Sequence, residues 1–343
     1  MAADTRGETL ADWGEFSFIG FLRDRLPASR PEMLLGVGDD ASWWRPIGGE
    51  VLTTTDMLVE GVHFDLGYTS AGDLGWKALA VNLSDLAAMG GQPACAYLAL
   101  GLPGTTLRSW LEEFVDAFLE LAGRYDVQLA GGDTVKSENM VISVTLNGTP
   151  AGDEPVRRSG ARPGDDLCLS GSVGDSFLGL RSLQGRLPVA GSAGAFLRGR
   201  HLRPRPRVEL GALLGASGLV NAMLDVSDGL IADLGHLLAA SGGWGAELEI
   251  GSLPLSPAAR EVVQAGLCDY SELLTGGEDF ELLFSLAPAR FPELAAMAAG
   301  MDVELTRIGR IIPEPGIFLL GPDRQPYQFD GKEGYDHFQT RDC

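Results

Sequence analysis

Residues 107–125, LRSWLEEFVDAFLELAGRY, carry the clearest structural signal in the chain. Apolar side chains recur here at spacings of three and four, which is the pattern of an amphipathic helix that packs on a sheet. The apolar stripe consists of Leu107, Trp110, Leu111, Phe114, Phe118 and Leu121. β-Branched runs at 51–56, VLTTTD, and at 141–149, VISVTLNGT, predict strands on either side of this helix. The N-terminal half is therefore predicted to be a sheet covered by helices.

Further elements continue this alternation along the chain. The segment from Asp73 to Met89 predicts a second helix, with Asp73 as its N-cap. In the second half, LCLSG at 167–171 and FELLFSL at 280–286 predict strands, and GLIADLGHLLAAS at 229–241 predicts a helix. Strands and helices thus alternate in both halves, which indicates layers of α and β structure.

One segment interrupts the periodic pattern. Residues 150–166, PAGDEPVRRSGARPGDD, replace periodic apolar residues with Pro, Gly and charges. We place a domain boundary there, which divides the chain into residues 1–150 and 151–343. Residues 314–343 contain several Pro and Gly and are predicted to form an irregular tail.

The composition excludes several classes of protein. The 343 residues carry a formal net charge of −21, which argues against a nucleic-acid binder because phosphate backbones are bound by clustered Lys and Arg. An anionic substrate would need metal ions as mediators. The cysteines are widely spaced without a C-x-x-C pair, which favours reduced thiols. Because the sequence shows no signal-like N-terminus and no apolar run that could span a membrane, we expect a cytoplasmic protein.

Acidic residues concentrate in glycine turns and at predicted strand ends, where side chains can converge. The motifs are Gly38-Asp39-Asp40, Thr54-Thr55-Asp56, Asp85, Gly131-Gly132-Asp133, Asp225-Val226-Ser227-Asp228-Gly229 and Gly276-Gly277-Glu278-Asp279. Each motif alone is also typical of an ordinary turn or a helix cap. Converging carboxylates would repel one another without divalent cations, and carboxylate and hydroxyl oxygens suit Mg²⁺. The set therefore predicts a nucleotide–Mg²⁺ site.

The common nucleotide-binding motifs are absent. The sequence contains no G-x-x-x-x-G-K-[ST], no His-Arg-Asp catalytic loop and no dinucleotide fingerprint. The glycine loop 171–174 could cradle a phosphate with its amides, although a tight turn explains the same residues. A basic run, Arg198 to Arg207, is short and interrupted by Pro, which favours a solvated or phosphate-facing loop over an RNA site.

In chain order, a series of motifs resembles those of the thiamine-monophosphate kinase family, in the superfamily of aminoimidazole ribonucleotide synthetase and selenophosphate synthetase. They are GEFSFI, GVGDDAS, TTTDMLVEGVHF, KALAVNLSDLAAMG, QLAGGDT, RRSGARPGDDL, RHLRPRPR, LDVSDGLIADLGH, LLTGGEDFELLF and GYDHF. The resemblance implies an α+β protein with a two-domain PurM-like fold. It also implies a homodimer formed by strand pairing of the N-terminal, ATP- and metal-binding domain, and a C-terminal α/β domain with a mixed sheet and a substrate-contacting tail.

The implied reaction transfers the γ-phosphoryl of ATP to thiamine monophosphate, giving ADP and thiamine diphosphate, as the last step of thiamine diphosphate biosynthesis. The acceptor is itself an oxyanion, so the barrier lies in charge repulsion and in-line alignment, which several Mg²⁺ ions would lower. A role for K⁺ is left open.

The resemblance also assigns candidate residues. The implied Mg²⁺ ligands are Asp40, Thr54, Thr55, Asp56, Asp85, Asp133, Asp225 and Asp228, with Asp39 assisting. The implied ATP contacts are Tyr125, Gly132, Asp133, Arg158 and Ser227. The implied thiamine monophosphate contacts are His63, Glu278 and Tyr335. Asp228, holding an ion near the transferred phosphate, and Arg158, supplying fixed positive charge, are the implied catalytic residues.

Two alternatives stay open at the level of sequence. One is a sister enzyme that activates another nucleophile with ATP, of which the maturation factor for nickel–iron hydrogenases is the nearest because it ends in a Cys, as this chain does at Cys343. Its Pro-Arg-Ile-Cys ending differs from the Thr340-Arg341-Asp342-Cys343 found here. The other alternative is a protein that binds nucleotide and divalent ions without turnover.

Overall fold

The computed structural model describes residues 7–37, 42–46, 48–321 and 323–329. The chain divides into two compact units, residues 1–86 with 91–150 and residues 87–90 with 151–343. In the part of the chain that is described, no helix is both long and apolar enough to cross a membrane.

The first unit packs helices on a four-stranded sheet. Its elements are α1 (Leu10–Trp13), α2 (Glu15–Arg25), β1 (Met33–Leu35), β2 (Trp43–Trp44), β3 (Leu52–Val59), α3 (Ala71–Ala88, whose last residues belong to the second unit), β4 (Gly91–Leu102), α4 (Arg108–Arg124), β5 (Gln128–Lys136) and β6 (Val141–Pro150). The sheet order is β3-β6-β4-β5, with β4 and β5 parallel and the other pairs antiparallel. β1 and β2 form a separate antiparallel pair.

The predicted amphipathic helix is α4, and its stripe is buried except at the start. Leu111, Phe114, Phe118 and Leu121 are buried, whereas Leu107 precedes the helix as its N-cap and is 43% exposed. Burying each of these large side chains contributes roughly 2 kcal/mol. A Cβ added to Gly75 of α3 would lie 2.0 Å from the carbonyl oxygen of Phe114, so glycine permits the close approach of α3 and α4.

The second unit is built on a six-stranded mixed sheet. Its elements are β7 (Asp166–Ser170), α5 (Asp175–Leu183), α6 (Gly191–Leu202), α7 (Val208–Ser217), β8 (Val220–Asp225), α8 (Leu230–Ala240), β9 (Gly245–Glu249), α9 (Pro257–Gln264), α10 (Tyr270–Thr275), β10 (Leu282–Leu286), α11 (Phe291–Met297), β11 (Leu305–Ile312) and β12 (Gly316–Leu320). The strand order is β12-β9-β11-β7-β10-β8, and β12 pairs with β9 in parallel while the other pairs are antiparallel.

The central strands of this sheet are buried on both faces. Leu283 of β10 stands opposite Leu169 of β7 and Leu224 of β8, and these three join one hydrophobic cluster. The next residue, Phe284, turns to the other face, because side chains alternate along a strand, and there it joins a second cluster. A sheet covered on both sides explains why all five residues of β10 are buried.

The structure corrects two sequence predictions. Asp73 is not the N-cap of the second helix, because α3 begins at Ala71 and the Asp73 N–H donates to the hydroxyl of Ser70, which acts as the cap. The predicted irregular tail contains a strand, β12, which β9 stabilises by backbone pairing that no local pattern reveals.

Candidate functional site

A pair of carboxylates marks the first unit. Asp56 lies on β3 and Asp85 on α3, and the Thr54 hydroxyl donates a 2.5 Å hydrogen bond to Asp85. Burial and the negative charge of Asp85 raise the pKa of Asp56 to about 7. Two carboxylates and a hydroxyl facing each other in this way favour a bound cation.

The donor set fits a hard divalent ion. One turn before Asp85 on α3, the amide oxygen of Asn82 is fully buried and has no hydrogen-bond partner among the residues that the structure describes. Among the described residues, no group of three or more His, Cys, Asp or Glu side chains is close enough to hold a metal by itself. Mg²⁺ usually binds through one or two carboxylates and completes its shell with water and substrate phosphates, so Asp56 and Asp85 suffice as protein anchors.

The structure does not bring Thr55 and Asp133 together with this pair. Thr55 follows Thr54 on β3 and points to the opposite face of the sheet, where its hydroxyl lies 3.1 Å from that of Thr145. Asp133 stands in register with Ala99, then Ser143 and then Met57 across the sheet. Residues in register share a face, so Asp133 and the exposed Met57 lie on the side away from Asp56. Gly132 precedes Asp133 on β5 and is exposed.

His63 and Tyr125 occupy turns of the same unit. The Val59 N–H donates a 3.1 Å hydrogen bond to Nδ1 of His63. In the neutral ring this bond assigns the proton to Nε2, which can then donate to an acceptor. Tyr125 ends α4 as its C-cap and is half-buried.

In the second unit, the predicted site residues follow the end of β8. Asp225 is the last residue of β8 and is buried, and the loop Val226 to Gly229 leads into α8. Asp233, in the first turn of α8, accepts hydrogen bonds on Oδ2 from the backbone N–H groups of Ser227, Asp228 and Gly229 at 3.0, 3.0 and 3.1 Å. Burial and the charge of Asp228 raise the pKa of Asp233 to about 7.

Glu278 belongs to a second turn that pairs with this loop. Its N–H donates to the carbonyl of Ser227 at 2.7 Å, and the Phe280 N–H donates to that of Val226 at 2.9 Å. Glu278 has a φ of 65°, in the left-handed region that non-glycine residues seldom adopt. A Cβ on Gly277 would lie 2.3 Å from the Ser227 oxygen, which explains the glycine. The two acidic motifs thus form one paired structure.

A buried ionic cluster supports the Glu278 turn. Glu281 is fully buried and accepts hydrogen bonds from Ser170 at 2.6 Å and Arg200 at 2.8 Å. Arg207 binds the same carboxylate with Nε and Nη2, both at 2.6 Å. His201 Nδ1 lies 3.1 Å from the Glu278 carboxylate. The cluster therefore anchors the end of the turn and contacts its side chain.

This cluster corrects the interpretation of the basic run. Arg200 and Arg207 are not a solvated or phosphate-facing pair, because their guanidinium groups compensate the buried charge of Glu281. Arg203 and Arg205 lie between them and are exposed, as the sequence suggested.

The glycine loop at 171–174 is a structural turn. The N–H groups of Gly174 and Ser176 donate to the two carboxylate oxygens of Asp279 at 2.6 and 3.1 Å, so Asp279 occupies the N-terminus of α5. Burial raises the pKa of Asp279 to about 8. The N–H groups of Gly171 and Val173 donate to the carbonyls of Glu304 and Pro254, so three amides of this loop are engaged by the protein itself, which favours the turn interpretation.

Arg158 lies in the segment that joins β6 to β7, and its side chain is exposed. Among the residues that the structure describes, its guanidinium has no ion-pair partner, which leaves it available to an anion. Asp39, Asp40, Tyr335 and Cys343 lie outside the described residues. The cysteines that are described, Cys95, Cys168 and Cys268, are buried free thiols, as expected.

Sequence reasoning missed the residues that shape these loops. Asp233, Asp279, Glu281 and His201 all lie inside motifs that the sequence analysis quoted, yet only the folded contacts reveal their roles. In the sequence, the only sign of these residues was their position beside predicted site residues. Asp233 itself looks ordinary there, because acidic residues are common in the first turn of a helix.

Known families match both units of the chain. The model of the AIR synthase related protein, N-terminal domain, matches residues 38–150, and that of the C-terminal domain matches residues 162–321. The class of protein that the fold and site define is thus the AIR synthase related class, with both of its domains in the usual order.

Relatives that match along nearly the whole chain identify the family within this class. The thiamine-monophosphate kinase of Escherichia coli O157:H7 is 42% identical over 330 residues, which cover 95% of this chain and 99% of the relative. That of Haemophilus influenzae is 37% identical, covering 95% and 98%. The chain belongs to the thiamine-monophosphate kinase family. The resemblance found in the sequence motifs is thereby confirmed.

Solved structures of this family resemble the chain along most of its length. The crystal structure of thiamine-monophosphate kinase from Stenotrophomonas maltophilia K279a superposes with a TM-score of 0.79 at 42% identity, covering 89% of this chain and 96% of that one. AaThiL complexed with AMPPCP and TMP gives a TM-score of 0.74 at 33% identity, covering 95% and 98%. Escherichia coli HypE, a hydrogenase maturation protein, gives 0.72 at 20% identity, which shows the shared fold alone. The expected α+β, PurM-like fold is confirmed.

Proposed function

We propose that the protein is a thiamine-monophosphate kinase, which transfers the γ-phosphoryl group of ATP to thiamine monophosphate and releases ADP and thiamine diphosphate. The observation that carries this proposal is end-to-end similarity, at 42% identity over 99% of a relative with that activity in its name. AaThiL, 33% identical, binds AMPPCP, an ATP analogue, together with TMP. ATP is accordingly the phosphoryl donor.

Phosphoryl transfer between these two substrates requires the protein to compensate their negative charges and to align them. The acceptor phosphate has a second pKa near 6, so at neutral pH its attacking oxygen is largely ionised and needs no general base. The remaining barrier is the repulsion between two polyanions and the entropy of in-line approach. The structure is consistent with this demand, since the described site residues are mostly carboxylates, which can hold divalent cations against the phosphate charges, and the acceptor phosphate supplies the nucleophile.

We infer that Mg²⁺ is the metal and that it neutralises the phosphate charges when bound. Thr54, Asp56 and Asp85 would hold it in the first unit, and Asp225 and Asp228 in the second, with Asp40 as a further ligand. Thr55 and Asp133 remain candidates, but their position on the other sheet face requires that they act apart from Asp56. A K⁺ requirement is left to experiment.

The remaining assignments are proposals about substrate binding. Arg158 would pair with phosphate oxygens, in keeping with its exposed guanidinium, which has no ion pair within the described part of the chain, and with Asp228 it would form the catalytic pair. Tyr125, Gly132, Asp133 and Ser227 would contact ATP. His63 would donate from Nε2 to thiamine monophosphate, and Glu278, with Tyr335, would contact the thiamine portion, where a carboxylate complements a cationic ring.

We further propose a cytoplasmic homodimer, formed by strand pairing of the N-terminal domain, with domains divided at residues 150 and 151. The dimer proposal is supported by the outward face of the first sheet, where Met57 and Val135 are each 54% exposed. Exposed apolar side chains on a sheet face are typical of a surface that is covered in an assembly.

Phosphorus NMR tests the function directly. Purified protein with Mg²⁺ and ATP would be followed with thiamine monophosphate, with free thiamine, and without acceptor. We expect thiamine diphosphate and equimolar ADP only with the monophosphate. Intact ATP in all three samples would reject the kinase proposal in favour of a binding role or a sister enzyme, and Cys343 would then be the next residue to test.

A further inference from the structure

The loop that carries Ser227 and Asp228 is shaped by one buried oxygen atom. Oδ2 of Asp233 accepts three hydrogen bonds, from the N–H groups of three consecutive residues, Ser227, Asp228 and Gly229. Asp233 is only 4% exposed, so water does not readily replace these bonds. The three amides point at one atom, which fixes the backbone and therefore the directions in which the Ser227 and Asp228 side chains leave it.

This arrangement differs from a phosphate-binding loop. The first N–H groups of a helix, together with the helix dipole, form a ready anion site. In the loop before α8, the N–H groups of Ser227, Asp228 and Gly229 are engaged by the protein's own carboxyl group, so these three amides are not available to a phosphate. What the loop offers a substrate is then chiefly its side chains, the Ser227 hydroxyl and the Asp228 carboxylate.

The same loop is bonded to the turn that contains Glu278. The carbonyl of Ser227 accepts the Glu278 N–H at 2.7 Å, and a Cβ on Gly229 would lie 2.8 Å from the carbonyl oxygen of Thr275. Because the two backbones are in direct contact, a shift of the Ser227 loop also shifts Glu278. One oxygen of Asp233 thus helps to position three residues: Ser227, proposed to contact ATP, Asp228, proposed to bind the metal, and Glu278, proposed to contact the thiamine portion.

We propose that Asp233 is a positioning residue for phosphoryl transfer: its carboxylate holds Ser227 and Asp228 in the geometry that binds metal-bound ATP. The kinetic test of this inference rests on the proposed function, whereas the test by ATP binding does not depend on it. A purely structural cap would stabilise α8 without affecting ligand binding by the folded protein, and this difference is measurable.

Three substitutions separate geometry from charge. Asp233→Asn keeps an oxygen acceptor at the same position and removes the charge. Asp233→Glu keeps the charge but moves the oxygens by one methylene, and Asp233→Ala removes the acceptor. If the position of the acceptor oxygen decides activity, the Asn variant is the most active, the Glu variant is intermediate and the Ala variant is the least active. We expect kcat to fall about threefold or less for Asn and about tenfold or more for Ala.

Asp165→Ala is the matched control for folding. Asp165 is 5% exposed and lies in the same unit, and its carboxylate accepts hydrogen bonds from the Arg162 N–H at 3.0 Å, the Asn221 amide at 2.9 Å and the Ser285 hydroxyl at 3.4 Å, which lie outside the 226–229 loop. We expect this variant to lose thermal stability as Asp233→Ala does, while its kcat and its half-saturating Mg²⁺ concentration stay within about twofold of wild type.

Calorimetric titration of each folded variant with ATP in Mg²⁺ supplies a readout independent of turnover. We expect Asp233→Ala to weaken binding about tenfold and Asp233→Asn to stay near wild type. Wild-type protein that binds ATP but forms no thiamine diphosphate would reject the proposed function and leave this test intact. Should Asp233→Ala not fold, the order of Asn and Glu decides. Binding and turnover that follow charge, with Glu above Asn, would overturn the proposal, as would a folded Asp233→Ala variant that matches wild type.

Discussion

The backbone N–H of Glu278 donates a 2.7 Å hydrogen bond to the carbonyl of Ser227. This bond joins two acidic turns that are far apart in the chain, one after β8 and one before β10. The two strands are antiparallel neighbours, with Asp225 opposite Leu282, so their ends meet at one edge of the sheet. Residues proposed to contact ATP and thiamine monophosphate are therefore linked by a main-chain hydrogen bond that needs neither of their side chains.

Neutralising either carboxylate of the first unit should abolish most activity and preserve the fold. We expect Asp56→Asn or Asp85→Asn to lower kcat about 100-fold or more, because each removes a charge proposed to hold Mg²⁺. Without Mg²⁺, the Asp56→Asn protein should be at least as stable as wild type, since burial and the Asp85 charge disfavour the ionised Asp56. Asp116→Asn makes the same charge change at an exposed side chain paired with Arg25 and should stay active. Activity near wild type in either site variant would contradict the metal assignment.

Glu278→Gln should affect one substrate more than the other. Loss of the carboxylate removes a charge proposed to face the thiamine portion, so KM for thiamine monophosphate should rise about tenfold with little change in KM for ATP. Steady-state kinetics with each substrate varied in turn make this comparison, with Glu293→Gln as a control at an exposed helix position. Tyr335→Ala should show the same asymmetry. Equal increases in both KM values would argue against direct contact with the thiamine portion.

Glu281→Gln should destabilise the second unit strongly. The fully buried Glu281 carboxylate compensates Arg200 and Arg207, and its replacement by Gln removes the negative charge that both guanidinium groups contact. Breaking a buried ion pair in this way costs about 3 kcal/mol. Glu247→Gln removes a partially exposed partner of Arg310 and should cost about 1 kcal/mol or less. Urea denaturation of both variants measures the difference, and equal losses would contradict a dominant role for the buried cluster.

Asp279 should make stability depend on pH. Burial raises its pKa in the folded protein to about 8, above the value of 3.8 expected in the unfolded chain. Between these values the folded state binds the additional proton, so the stabilisation is present at low pH and is lost as the pH rises through 8. We expect the free energy of unfolding to fall from pH 5 to pH 8, and to fall less steeply in Asp279→Asn. Identical slopes in the two proteins would show that another group controls the pH dependence.

Much of the secondary structure was predictable because it depends on local periodicity. The stripe on α4 and the β-branched runs of β3 and β6 follow from residues that are close in sequence and share a face. The boundaries were less accurate. Ser70 rather than Asp73 caps α3, because several polar residues near a helix start can each accept the free amides.

The sequence by itself determined the family, and it predicted an acidic site with a set of candidate residues. Those features depend on residue type and order, and the motifs are long enough to be specific. The tertiary structure alone decided which of these residues meet. It placed Asp133 on the opposite sheet face from Asp56, and it turned Arg207 inward to Glu281. It also showed that Asp233 holds the Ser227 loop. The physical reason is that strand register and buried ion pairing depend on contacts between residues distant in sequence, and short motifs do not encode which distant groups will compensate one another.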